Sequence, residues 1–311
     1  MAVTMKGKDL ISINDLTVEE TWQILKTTEQ MKLRLKSGER QRPLEGKTLG
    51  MIFTKPSTRT RVSFEVAIWQ LGGYALYLGA SDLQLRRGET IEDTGRVLSR
   101  YLDAIMIRTF DHQDVVDLAR AADIPVINGL TDLLHPCQGL TDVYTIYEKF
   151  GRLEGLKLAY VGDGNNVAHS LMYAGAKTGL DVVVACPPGH EPDPRVVEAA
   201  QEAALETGAV IEVVRDPLEA VQGADVIYAD VWTSMGQEAE REERVKALTP
   251  YQVNPALMAA TGKRSTVFMH CLPAHRGEEV TDEVIDGPAS IVFDQAENRL
   301  HTQKAILALV M

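Results

Sequence analysis

Short apolar runs rich in β-branched residues recur along this chain with helical stretches between them, and each run hands over to polar, chemically capable residues. This alternation predicts α/β architecture, because parallel strands need crossovers long enough to hold a helix. The runs read as strands are 48–53, 104–107, 125–127, 157–161, 181–186, 210–214, 226–229, 266–269 and 290–293. Between them, 18–35 places Leu25, Met31 and Leu35 among charges at helical spacing, and 195–207 is an Ala/Glu-rich helix; both read as structural cover.

At 311 residues the chain exceeds what one compact core usually spans, which favours two domains of about 150 residues each. A polar turn at 149–155, just ahead of a new strand signal, is the expected boundary. A formal net charge of −12 repels nucleic-acid phosphates and anionic membrane surfaces, so neither is expected as a partner. Three cysteines, Cys137, Cys186 and Cys271, are too few and odd in number for a disulfide framework. With no continuous apolar leader in the first ten residues and no run of about 20 apolar residues, a cytoplasmic protein is expected.

The polar residues that follow the runs carry the chemistry, since in open parallel sheets the carboxyl edge lines the ligand crevice. Ser57-Thr58-Arg59-Thr60-Arg61 follows a strand and precedes Val62, Val66 and Trp69 at helical spacing, with Gly72-Gly73 as the stop. Ser57 is the expected N-cap. Unpaired helix N–H groups, hydroxyls and guanidiniums together make an anion cradle without a glycine-rich loop. Gly46-Lys47-Thr48 is not a nucleotide-triphosphate loop, because Gln41 stands where that motif needs glycine and the segment precedes its strand.

Gly162-Asp163-Gly164-Asn165-Asn166-Val167 follows a strand and opens a helix, yet Val167 replaces the third glycine of a dinucleotide fingerprint. Its two amides either orient a small zwitterion or cap and turn the chain. His135 near Cys137 and His270 beside Cys271 lack the intervals of a structural zinc site, so no metal is expected. Cys271 reads equally as a nucleophile or a small buried hydrophobe. Asp230 lies beyond a strand, ahead of Ser234-Met235-Gly236 and a charge run at 238–244 that reads as a solvated helix.

Taken together, Ser57-Thr58-Arg59-Thr60-Arg61 with Ser63-Phe64-Glu65, and His135-Pro136-Cys137-Gln138, resemble the aspartate/ornithine carbamoyltransferase family over nearly the whole chain. Asp163-Gly164-Asn165-Asn166, Asp230 with Ser234-Met235-Gly236, and His270-Cys271-Leu272-Pro273 are similar to its ornithine branch, with Thr54 departing from the acidic residue common before the phosphate motif. The resemblance implies two Rossmann-like domains: 1–149 for carbamoyl phosphate, completed by a C-terminal helix at about 296–311, and 150–295 for ornithine. It implies carbamoyl transfer to the δ-amine of L-ornithine within arginine metabolism, no cofactor, and a homotrimer with active sites between subunits.

On the same resemblance, Ser57, Thr58, Arg59, Thr60 and Arg108 hold the phosphate, and Arg59, Thr60, His135, Cys271 and Arg299 surround the carbamoyl group. Gln138 and the Leu272 carbonyl accept from the carbamoyl amide, and Gln84 reaches into a neighbouring subunit's site. Asn166, Asp230, Ser234 and the Met235 backbone contact ornithine, with the 234–236 loop closing over it. Arg59, Arg108, His135, Asp230, Cys271 and Arg299 are the implied catalytic set. A dinucleotide-binding oxidoreductase, a silent ligand-binding regulator and a transferase acting on putrescine are the competing readings.

Overall fold

The computed structural model describes residues 3–81, 83, 88–233 and 240–311, and the chain divides into two α/β units. The first comprises Met1–Tyr144 and Glu297–Met311. In it α1 (Val18–Lys36) starts on a reciprocal cap: Thr17 Oγ1 accepts from Glu20 N at 3.1 Å while Glu20 Oε2 accepts from Thr17 N at 2.8 Å. Two orphan N–H groups are thereby satisfied.

There follow β1 (Thr48–Phe53), α2 (Thr58–Gln70), β2 (Tyr74–Gly79), α3 (Ile91–Leu98), β3 (Ala104–Arg108), α4 (His112–Ala121), β4 (Val126–Leu130) and α5 (Pro136–Phe150). The four strands form one parallel sheet in the order β2-β1-β3-β4. Ile52, Ile105, Ile107 and Val126 bury against Val115 and Leu118 of α4, each worth about 1.5–3 kcal/mol of apolar transfer relative to exposure. Successive β1 crossovers run to opposite sides, so the order reverses between β1 and β3.

The second unit, Thr145–Ala296, contains β5 (Lys157–Val161), α6 (Asn166–Thr178), β6 (Asp181–Ala185), α7 (Pro194–Ala204), β7 (Ile211–Val214), α8 (Pro217–Val221) and β8 (Val226–Ala229). It continues through α9 (Arg241–Leu248), α10 (Pro255–Ala260), β9 (Val267–His270) and α11 (Asp282–Ile285). Its parallel sheet runs β7-β6-β5-β8-β9, reversing between β5 and β8. Val161, Ala185, Ile227 and Phe268 anchor its core. The last helix, α12 (Val292–Val310), has its residues from Glu297 onward in the first unit.

Two expectations need correcting. Residues 290–293 are not a strand: Ser290 makes one isolated bridge to Phe268, and α12 starts at Val292. A run of only three apolar residues, Ile291–Phe293, carries too little periodicity to separate a strand from a helix start. Conversely, β2 is a strand that no sequence signal predicts: it is an edge strand whose Tyr74, Leu76 and Tyr77 are exposed, so its apolar residues do not alternate with polar ones. Elsewhere the strand signals hold to within a few residues at their ends.

Candidate functional site

In each unit the chemically capable residues fall where the strand order reverses, the position at which adjacent crossovers splay apart and leave a crevice. In the first unit this is the carboxyl end of β1 and β3. Ser57 caps α2 in extended conformation, φ −164°, with its Oγ accepting from Thr60 N at 3.3 Å. The first turn holds no acidic residue, so the helix end stays electropositive. Thr58 is exposed, Ser57 and Arg59 are half-buried, and Thr60 is buried. Arg108 closes β3 as a buried guanidinium.

Arg61 turns aside from this group. Its guanidinium lies 3.9 Å from the Tyr77 ring centroid and its Nε donates to Glu65 at 3.0 Å.

His135 and Gln138 come from the start of α5, and α12 supplies Arg299. Arg299 Nη1 donates to Gln138 Oε1 at 2.7 Å and Nη2 to Thr60 Oγ1 at 3.3 Å. Gln138 in turn donates to Asp142 at 2.7 Å. With the Gln303 amide oriented to satisfy both groups, its oxygen accepts from Arg299 Nη2 at 2.7 Å and Nε at 3.1 Å. The guanidinium is thus fixed in plane by three elements.

Burial, reinforced by Arg299, Arg108, Lys55 and Arg59, holds His135 well below the usual imidazole range. A neutral ring results at physiological pH, able to donate one hydrogen bond without adding charge. Lys55 is one of three residues that sequence reasoning left unassigned here. Its side chain is buried, pairs with Asp132 at 3.0 Å and lies 4.7 Å from the Phe110 ring centroid. Gln303 and Asp142 are the others, and side chains one helical turn from a motif carry no sequence signal of their own. Cys137 is structural: its Sγ faces the Asn128 carbonyl at 3.4 Å and burial pushes its thiol up to about 12.

In the second unit Asp163–Asn166, Asp230 and Cys271 follow β5, β8 and β9. Asp230 is 5% exposed and both carboxylate oxygens are engaged: Asn165 Nδ2 donates to Oδ2 at 2.8 Å, and Cys271 Sγ to Oδ1 at 2.9 Å. Asn165 also caps α6, its Oδ1 accepting from Val167 N at 2.9 Å and from Tyr160 OH at 3.2 Å. Of the two adjacent amides, then, Asn165 orients Asp230 and the helix, while Asn166 is the half-buried first residue of α6. Asp163 is held by His190 at 2.9 Å and Arg244 at 2.5 Å, and Arg244 Nε also donates to the Trp232 carbonyl at 2.7 Å.

Leu272 sits at φ +57°, a backbone region costly for a branched side chain. A hydrogen-bond chain holds it there. Leu272 N donates to His270 Nδ1 at 2.8 Å, and His270 Nε2 pairs with buried Glu279 at 3.1 Å. Acceptance at Nδ1 puts the ring proton on Nε2. Asp230, His270 and Cys271 present ligand atoms within 4.8 Å of one another, but both His270 nitrogens are already committed, to Leu272 N and Glu279. Gln84, Ser234 and Met235 lie outside the described residues.

Each α/β unit thus gathers polar side chains where its strand order reverses, and the chain's relatives are carbamoyltransferases. Residues 8–148 match the family model for the aspartate/ornithine carbamoyltransferase carbamoyl-P binding domain, and 154–310 match that for its Asp/Orn binding domain. The chain belongs to the aspartate/ornithine carbamoyltransferase family. Among its relatives, the ornithine carbamoyltransferase of Thermococcus kodakarensis is 64% identical, covering 100% of this chain and 98% of that one. The anabolic ornithine carbamoyltransferase of Pyrococcus furiosus is 63% identical over the same shares. The solved Pyrococcus furiosus enzyme superimposes with a TM-score of 0.96, covering 100% of this chain and 99% of that one, at 63% identity. That from Thermus thermophilus gives 0.88 at 42% identity, covering 98% and 99%.

Proposed function

We propose that this chain transfers the carbamoyl group of carbamoyl phosphate to the δ-amine of L-ornithine, giving L-citrulline and phosphate. The observation that carries the reading is Arg299, fixed against Thr60 and Gln138 beside a neutral His135 in the unit whose helix N-terminus is free of acid. Ser57, Thr58, Arg59, Thr60 and Arg108 receive the phosphate. Attack at the carbonyl carbon develops an oxyanion, and Arg59, Thr60, His135 and Arg299 stabilise that charge more than the planar donor. Gln138 and the Leu272 carbonyl meet the carbamoyl amide, and phosphate leaves into its cradle.

The attacking amine has to be neutral, whereas a free alkylammonium titrates at about 10.4. Asp230 and Cys271 take the amine as a hydrogen-bonding pair, with Asn166, Ser234 and Met235 on the amino-acid head group. Cys271 orients the amine and forms no covalent intermediate. Gln84 is assigned to a neighbouring subunit's site in a cytoplasmic homotrimer. Such an assembly fits the exposed apolar side chains of edge strand β2.

A colorimetric citrulline assay with carbamoyl phosphate and a panel of amines tests the reading. Ornithine should be turned over and putrescine should not compete at equal concentration; preference for putrescine would reassign the acceptor. No product with any amine would leave a silent binding protein.

A further inference from the structure

A second cationic cavity lies in the first unit, on the face built from α1, the 37–43 turn, the end of α2 and the Lys304 turn of α12. It consists of two contiguous hollows of about 500 and 200 Å³, both bordered by Met31, Arg34, Arg40 and Arg42, and the smaller one by Trp69 and Lys304 as well. None of these residues belongs to the carbamoyl-transfer machinery.

Three features of this cavity are unusual for a molecule of net charge −12. Lys304 is 4% exposed, yet among the described residues its ammonium meets only the neutral Gln70 Oε1, at 3.0 Å, and no carboxylate. A buried ammonium without a counter-charge is costly. Arg40 has no carboxylate partner among the described residues either. Arg34 and Arg42 have loose ones, Glu39 at 3.8 Å and Glu45 at 3.6 Å, all four side chains being well exposed. Counting both acids, the cavity keeps an excess of two positive charges. Finally, Trp69 is 72% exposed, presenting an indole beside these cations.

We propose that this cavity binds an organic phosphate bearing a planar ring, of the nucleoside di- or monophosphate class. The phosphate supplies the counter-charge Lys304 lacks and takes the planar, multi-donor contacts of Arg40 and Arg42. The ring lies against Trp69 and the Met31 side chain, where stacking and the apolar wall favour it.

The test titrates ADP, with inorganic phosphate as the ringless probe, following tryptophan emission and heat together. It is run in the Arg59→Gln background, which disables the catalytic cradle and separates this site from the transfer reaction. ADP should bind saturably and quench Trp69, and inorganic phosphate should bind at least about tenfold more weakly. Lys304→Met, close in volume, should weaken ADP about tenfold. Arg40→Gln and Arg42→Gln, at exposed positions that cannot disturb the core, should each do the same. Trp69→Phe should abolish the optical change and retain most of the heat. The proposal is overturned if ADP binds only when Arg59 is intact, if inorganic phosphate binds as tightly, or if the exposed arginine variants bind like the parent.

Discussion

At the residue scale the decisive group is Arg299, because its three partners fix the guanidinium plane before any substrate arrives. Lysine keeps the charge and loses the fork, so Arg299→Lys should lower kcat/KM by about 10²–10³-fold with the fold intact; steady-state citrulline formation and a thermal melt check both halves. Of this cluster, Arg59, His135 and Gln138 were legible from the sequence because they sit within contiguous motifs. Lys55 and Gln303 were not, since a buried lysine over Phe110 and an amide one turn beyond Arg299 look like ordinary helix and loop residues.

Burial also gives His135 a signature in stability. His112, His135 and His301 all sit below the usual 6.5, chiefly through desolvation. Below pH 6.5 the unfolded chain takes up protons that the folded chain refuses. Stability therefore rises with pH up to about 6.5 and is lost as the pH falls beneath it. Denaturant midpoints between pH 5 and 8 should show this slope, and His135→Gln should flatten it; an unchanged slope would mean that the ring takes up its proton in the fold as readily as in the unfolded chain.

At the scale of elements, the turn from β5 into α6 shows how backbone and site depend on one another. A Cβ added at Gly164 would stand 2.3 Å from Pro192 N, so the turn has to move if that position gains a side chain. Gly164→Ala should cost about 1–3 kcal/mol by overpacking and, by displacing Asn165 from Asp230, raise the KM for ornithine more than that for carbamoyl phosphate. Urea unfolding and paired substrate titrations measure the two effects. The strand–turn–helix signal at 157–166 was readable because β5 is buried on both faces and its cap residues are polar. Strand β2 was not, because an edge strand with outward tyrosines lacks the two-residue period.

At the scale of the whole molecule, a trimer predicts sedimentation at about three times 34.2 kDa. Tyr74→Lys and Leu76→Lys would put charges on the exposed edge of β2 and should shift the species toward one-third of that mass. Activity should fall in parallel if Gln84 serves a neighbour. A parent protein sedimenting as a monomer with full turnover would remove the assembly from the proposal. Two-unit organisation was legible from length and strand alternation, but no local pattern in the sequence marks which unit a late helix joins.

The place of α12 in the fold sets the order in which the two units can be completed. The first unit needs residues 297–311, which the ribosome delivers only after the whole of 145–296 has emerged. Synthesis order and completion order are therefore inverted: the unit begun second can close while the one begun first is still waiting for Arg299 and its helix. During that interval the apolar surface that Ile306, Leu307 and Val310 will cover stays open to solvent.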